Sequence, residues 1–177
     1  MNSVSPGPGI VYFYMGNGAH ALVRERTQDS ILAHMHAERA YKALRIPTES
    51  DYQRYIAAAR AMYTAYYQTM AATNPAFSAD VNQQIEAKML HYSHYDSGSD
   101  KKARAAYERM LQLAIAGDRA GLATHVRAEK LDLGECLYAA AERGQAGAID
   151  ALLELQYAAD GGGDPKGPWL AEQKREL

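Results

Sequence analysis

The sequence predicts a mainly α-helical protein: a helical bundle with a short N-terminal β-hairpin or strand and a C-terminal series of paired helices. Three observations carry this expectation. Alanine is plentiful, which favours helix and lets helices approach closely. Apolar residues recur every third or fourth position over most of the chain, the period of one helical face. Those stretches are separated by short Gly, Pro, Ser and Asp clusters, which end helices.

Residues 1–9 are a Pro-, Gly- and Ser-rich arm expected to be flexible, and residues 10–159 are expected to form a single helical domain. Residues 10–26 hold two short runs, IVYFYM and AHALVRE, around Gly16-Asn17-Gly18, the pattern of a hairpin. A single strand leading into a helix at Ala19 is the alternative. Residues 27–98 carry the N-terminal helices. The first spans 27–45, with Thr27, Asp29 and Ser30 as N-cap candidates and Ile31, Met35, Tyr41 and Leu44 as its buried stripe; Pro47 marks its end. The second spans 48–73, with Tyr52, Ile56, Ala59, Tyr63, Tyr66 and Met70 on one seam. Tyr55, Met62 and Tyr67 widen its apolar surface to a second side, so it is expected to be central in the bundle or to contact two neighbours. Asn74-Pro75 stops it. The third, 78–95, offers Val81, Ile85, Met89 and Tyr92 to a core. Residues 99–159 carry a helix starting at Ser99 or Asp100 and ending at Ala116, then shorter helices at 119–129, 134–143 and 146–157. Residues 160–177 form a glycine-rich, polar tail that is expected to be flexible and holds the only Trp, Trp169.

The bulk numbers narrow the function classes. A net charge of −2 gives no electrostatic reason to expect nucleic acid. The basic run Lys101-Lys102-Ala103-Arg104 is expected on a solvated helix face. No stretch approaches the roughly 18 apolar residues of a membrane span, and the N-terminal residues lack the apolar core of a secretory signal. The chain therefore reads as cytoplasmic, with no membrane partner. The closing Lys174-Arg175-Glu176-Leu177 is similar to a retention tail, discounted for want of an import signal. Cys136 is the single cysteine, which excludes an intrachain disulfide. Its apolar surroundings predict a buried, inert thiol. Tyr outnumbers Phe by 13 to 2. Tyr buries a ring but keeps a hydroxyl that wants a partner, which suggests thin cores or an interface.

Two phrases in the C-terminal part repeat. Leu113-Ala114-Ile115-Ala116-Gly117-Asp118 and Ala140-Ala141-Glu142-Arg143-Gly144-Gln145 each end one helix on a glycine and start the next at once; Leu122 and Ile149 lie at equal distances beyond. The stretch LYAAAERGQAGAIDALL, ending in Leu152-Leu153, resembles the ankyrin core L-x-x-A-A-x-x-G-x-x-x-x-V-x-x-L-L. The resemblance covers residues 111–157 only and implies short, loop-trimmed, degenerate ankyrin-like helix pairs. The two glycines are closer than the ~33-residue ankyrin period. Residues 135–138 stand where the Thr-Pro-Leu-His turn would be, and His125-Val126 replaces the Leu pair in the first copy. Any α-bundle with a glycine turn can produce such a phrase, so a plain bundle remains the other reading.

No catalytic motif is present. His91 and His94, at i and i+3, share a helix face near Asp96 and form the candidate metal pair, needing a third ligand from elsewhere. His34 and Glu38, at i and i+4, also align, whereas His36 points away. No catalytic residue and no cofactor is expected. The chain is thus expected to be a non-catalytic protein-binding module. In size and style it resembles bacterial immunity proteins, which implies an inhibitor that binds and neutralises a cognate partner such as a toxin. An adaptor fits equally. Tyr55 and Tyr67, off the main seam of their helix, together with Tyr138 and Trp169, are the candidate partner-binding residues. The alternative is a small enzyme or effector using His91 and His94 in a metal-binding site.

Overall fold

A computed structural model of the protein describes residues 18–73 and 80–161. They form seven α-helices: α1 (Gly18–Ala43), α2 (Glu49–Thr73), α3 (Val81–His94), α4 (Gly98–Ile115), α5 (Arg119–Glu129), α6 (Leu133–Ala141) and α7 (Ala146–Ala159). No strand occurs among the described residues, and no helix there is long and apolar enough to cross a membrane. The chain divides into two compact units. Unit 1 is the chain up to Leu44 with Glu49–Lys101, and unit 2 is Arg45–Thr48 with the chain from Lys102 onward.

The expected hairpin is corrected where it can be seen: residues 18–26 are the opening turns of α1, and residues 10–17 lie outside the described residues. Periodicity explains it. Val23, Thr27 and His34 are buried and Ile31 and Tyr41 half-buried, all at helical spacing, so the same face continues upstream of 27. Thr27 is therefore not a cap. It sits mid-helix, and its hydroxyl donates to the Val23 carbonyl at 2.7 Å. Met35, expected in the stripe, is exposed, and His34 takes the buried place.

In unit 1, α2 packs against both α1 and α3, as its wide apolar surface predicts. The core is built from Tyr55, Ala59, Met62 and Tyr63 of α2 and Ile85, Met89 and Tyr92 of α3, with Ile31, Tyr41, Tyr52, Ile56, Tyr67 and Val81 packed around it. Of the seam read from the sequence, Ala59 and Tyr63 are buried and Tyr52, Ile56, Tyr66 and Met70 half-buried; Tyr55 and Met62, from the second side, are buried as well. Arg60 of α2 and Glu86 of α3 make a two-pronged ion pair beside this core.

Unit 2 holds a different core: Met110, Leu111, Leu113 and Ala114 of α4, Leu122 and Val126 of α5, Cys136, Ala139 and Ala140 of α6, and Ala148, Ala151 and Leu152 of α7. Small residues dominate α6 and α7, and these two helices pack closely. Three turns with the same hydrogen bonds join the helices. Gly117, Lys130 and Gly144 all have positive φ (71°, 54° and 64°). In each turn the next residue's N–H reaches back five positions: Asp118 to Leu113, Leu131 to Val126 and Gln145 to Ala140, each at 3.0 Å. This double-bonded helix ending satisfies carbonyls that the helix leaves free. Asp118 and Asp132 then cap α5 and α6 by accepting the N–H groups of Gly121 and Glu135, both at 2.9 Å. A Cβ at Gly121 would lie 2.2 Å from the Asp118 carboxylate, which would have to shift from its capping position. The cap expected at Ser99 or Asp100 lies earlier: the Ser97 hydroxyl accepts the Asp100 N–H at 3.1 Å. In the basic run, Lys101, Lys102 and Ala103 are exposed as expected, but Arg104 is buried.

Candidate functional site

The sequence-predicted residues scatter over different surroundings. Tyr55 is 8% exposed and belongs to the core of unit 1. Its ring stacks on Tyr41 (centroids 5.3 Å apart) and meets the edge of Tyr92 at 5.6 Å. Tyr67 is half-buried and stacks on Tyr63. Tyr138, in unit 2, is 45% exposed. Trp169 lies outside the described residues.

The core of unit 1 also contains His34, only 1% exposed. It stacks on Tyr55 at 5.8 Å, and its Nε2 is 3.3 Å from the Tyr92 hydroxyl. The Tyr52 hydroxyl donates to the Tyr92 carbonyl at 3.2 Å. Burial pushes the His34 pKa below its usual value, partly offset by the Glu38 carboxylate and reinforced by Lys42. Burial likewise pushes the Tyr55 phenol up to about 12 and raises that of Tyr92 further. The cluster thus keeps a neutral imidazole among protonated phenols. The sequence signal for it was the seam itself, since His34 sits between Ile31 and Tyr41 at helical spacing.

His91 and His94 do share one end of α3, as expected, and both are exposed. What they meet is Tyr95: His91 lies parallel to its ring at 6.4 Å and His94 meets its edge at 5.5 Å. Leu90 and Tyr95, each 66% exposed, flank them. Among the described residues no three His, Cys, Asp or Glu side chains are grouped to hold a metal ion. His34 lies in the core of unit 1, whereas His91 and His94 are exposed on α3.

The most constructed surface belongs to unit 2; of its residues the sequence pointed to Tyr138 alone. The end of α6 carries Tyr138, and the turn that follows carries Glu142 and Arg143. The guanidinium of Arg45 lies 4.7 Å over the Tyr138 ring. The Glu142 carboxylate accepts the backbone N–H of Arg45 (3.1 Å) and of Ile46 (3.0 Å), and Arg143 donates to the Ile46 carbonyl at 2.9 Å. Sequence separations near 97 hide all of these contacts from any local pattern. Nearby, the Tyr107 hydroxyl donates to Glu135 at 2.6 Å. Cys136 is fully buried, and burial pushes its thiol up to about 12, with the Asp132 and Glu135 carboxylates adding to the effect. That matches the inert thiol expected from its neighbours.

Comparison with known proteins finds no matching family model, no matching curated protein and no matching solved structure.

Proposed function

We propose that the chain is a non-catalytic protein-binding module of the cytoplasm, an inhibitor in the immunity-protein style that neutralises a cognate partner such as a toxin, or an adaptor. The observation that carries the reading is the exposed Tyr138 ring under the Arg45 guanidinium, on a surface fixed by Glu142 and Arg143. Tyr and Arg held in place by neighbours are the residue types that dominate binding energy at protein interfaces. The helix pairs α4–α5 and α6–α7 are read as degenerate ankyrin-like repeats. Support comes from the two glycine turns, which share one hydrogen-bond pattern, and from the equivalent Leu122 and Ile149, buried and half-buried behind them. In the first copy His125 stands where the second has Leu152, and its ring bonds the Ala106 carbonyl at 2.9 Å instead of filling the core with an aliphatic chain.

Affinity purification of the full chain from its native host tests the reading. The expected result is one partner held at one-to-one stoichiometry, with Tyr138→Ala weakening it by at least about tenfold, an effect of hot-spot size. Capture that is unchanged by Tyr138→Ala contradicts the assignment of this surface. The absence of any stoichiometric partner contradicts the reading as a whole.

A further inference from the structure

Arg45-Ile46-Pro47-Thr48 belongs to unit 2, although the rest of that unit begins only at Lys102. The segment is held as a bound peptide would be. Both oxygens of one carboxylate, Glu142, accept successive backbone N–H groups, those of Arg45 and Ile46. The Ile46 carbonyl is taken by Arg143, whose other nitrogen is fixed on the Ala139 carbonyl at 2.8 Å. The Ile46 side chain, 6% exposed, enters the apolar core of the unit. Pro47 keeps Ile46 out of the helical region, so its N–H and carbonyl are free to face side-chain partners.

Main-chain hydrogen bonds combined with one side-chain pocket are a common means of peptide recognition: the first give affinity, the second specificity. The groups that do the holding, Tyr138, Glu142 and Arg143, all come from the end of α6 and the turn after it. The held segment contributes a basic residue, an aliphatic residue and a proline.

We propose that the end of α6 is a recognition site for a bent basic–aliphatic–proline peptide, filled in cis by the chain's own Arg45–Thr48, and that a partner carrying such a segment binds by displacing it. The inference rests on the protein-binding reading above and names the chemistry of the partner. A tethered segment acts at an effective concentration on the order of millimolar, so the cis occupant masks the site from weak ligands. Weakening the cis segment therefore exposes it.

The test uses the full chain and a labelled, end-blocked peptide of residues 43–50, ALRIPTES. Ile46→Gly removes the cis anchor. The peptide is expected to bind this variant at least about tenfold more tightly than the unaltered chain, and Glu142→Gln in the same background is expected to reverse most of that gain. A peptide with glycine in place of its isoleucine is expected not to bind. If circular dichroism shows that Ile46→Gly does not fold, Ile46→Val takes its place; losing one methyl should raise peptide affinity by about fivefold. Equal binding to the unaltered chain and to the folded variant overturns the proposal, as does equal binding of the glycine-containing peptide. If Tyr138→Ala abolishes partner capture while the peptide fails in every background, this inference falls and the protein-binding reading stands.

Discussion

Unit 1 and unit 2 bury different chemistry. The core of unit 1 is made of rings that carry polar atoms: Tyr55, Tyr63 and Tyr92, with His34 among them. The core of unit 2 is aliphatic and small, with Leu122 and Leu152 packed among alanines and a single buried thiol. A phenol or imidazole can be buried only while its polar atom keeps a partner and, for His34, while it stays uncharged. An aliphatic core has no such condition, but it depends on close helix approach and therefore on the turns that permit it. Unit 1 should respond to pH, and unit 2 to the geometry of its packing and turns.

The largest effect expected is in unit 2. Leu152 is fully buried, whereas its neighbour Leu153 is 39% exposed. Leu152→Ala should cost about 2–5 kcal/mol of stability and Leu153→Ala less than about 1, measured by denaturant unfolding. Cys136 supplies an independent readout: its thiol should react with a thiol reagent many times faster in Leu152→Ala than in the unaltered chain. Equal costs for the two leucines would mean that the aliphatic core is not where the stability of this unit lies.

Glu142→Ala comes next. It leaves the N–H groups of Arg45 and Ile46 without their acceptor, which should cost about 1–3 kcal/mol by the same measurement. A neutral result would show that water replaces the carboxylate without loss.

The pH response of unit 1 follows from His34. Its pKa in the folded chain is depressed below the ordinary 6.5. The unfolded chain therefore takes up the proton first as the pH falls. The stability gained by keeping the ring neutral is fully present above pH 6.5 and is lost below it, by at most about 1.4 kcal/mol per pH unit. His34→Gln, which retains a polar group for Tyr92 but does not titrate, should flatten the loss between pH 7.5 and 5.5. Stability curves of equal slope for the variant and the unaltered chain would remove His34 from the explanation.

The smallest effects concern the turns. Lys130 occupies a left-handed position that the equivalent turns give to Gly117 and Gly144. Lys130→Gly should stabilise unit 2 by up to about 1 kcal/mol, and Gly144→Ala should destabilise it by about as much. Changes of the same sign would break the equivalence of the three turns.

Much of the helical layout was legible in the sequence, because capping, turn residues and apolar spacing act locally. Of the stripe Val81, Ile85, Met89 and Tyr92, the last three are buried and Val81 is half-buried, and α5 runs over the residues expected. Over residues 18–26 the hairpin reading fails and the alternative of a helix from Ala19 holds, because a short run with partial alternation fits a strand as well as a helix, and only the buried Val23 and Thr27 decide between them. Tyr55 was assigned to a partner surface because it lies off the seam chosen for α2; that helix has two neighbours, and Tyr55, from its second side, is buried as well. The surface around Tyr138 was half legible. The tyrosine could be picked out by type, but Glu142 and Arg143 look like ordinary polar residues at a helix end. Their role exists only because Arg45 and Ile46 arrive from far away in sequence.

Hydrogen–deuterium exchange of the full chain at pH 7.5 and 5.5, corrected for the intrinsic pH dependence of exchange, tests the contrast between the two units most directly. The expected result is loss of protection at the lower pH in α1, α2 and α3, with α5, α6 and α7 still protected, and restoration of unit 1 by His34→Gln. Equal loss in both units, or earlier loss in α5–α7, would contradict the claim that the buried imidazole and phenols make unit 1 the acid-sensitive one.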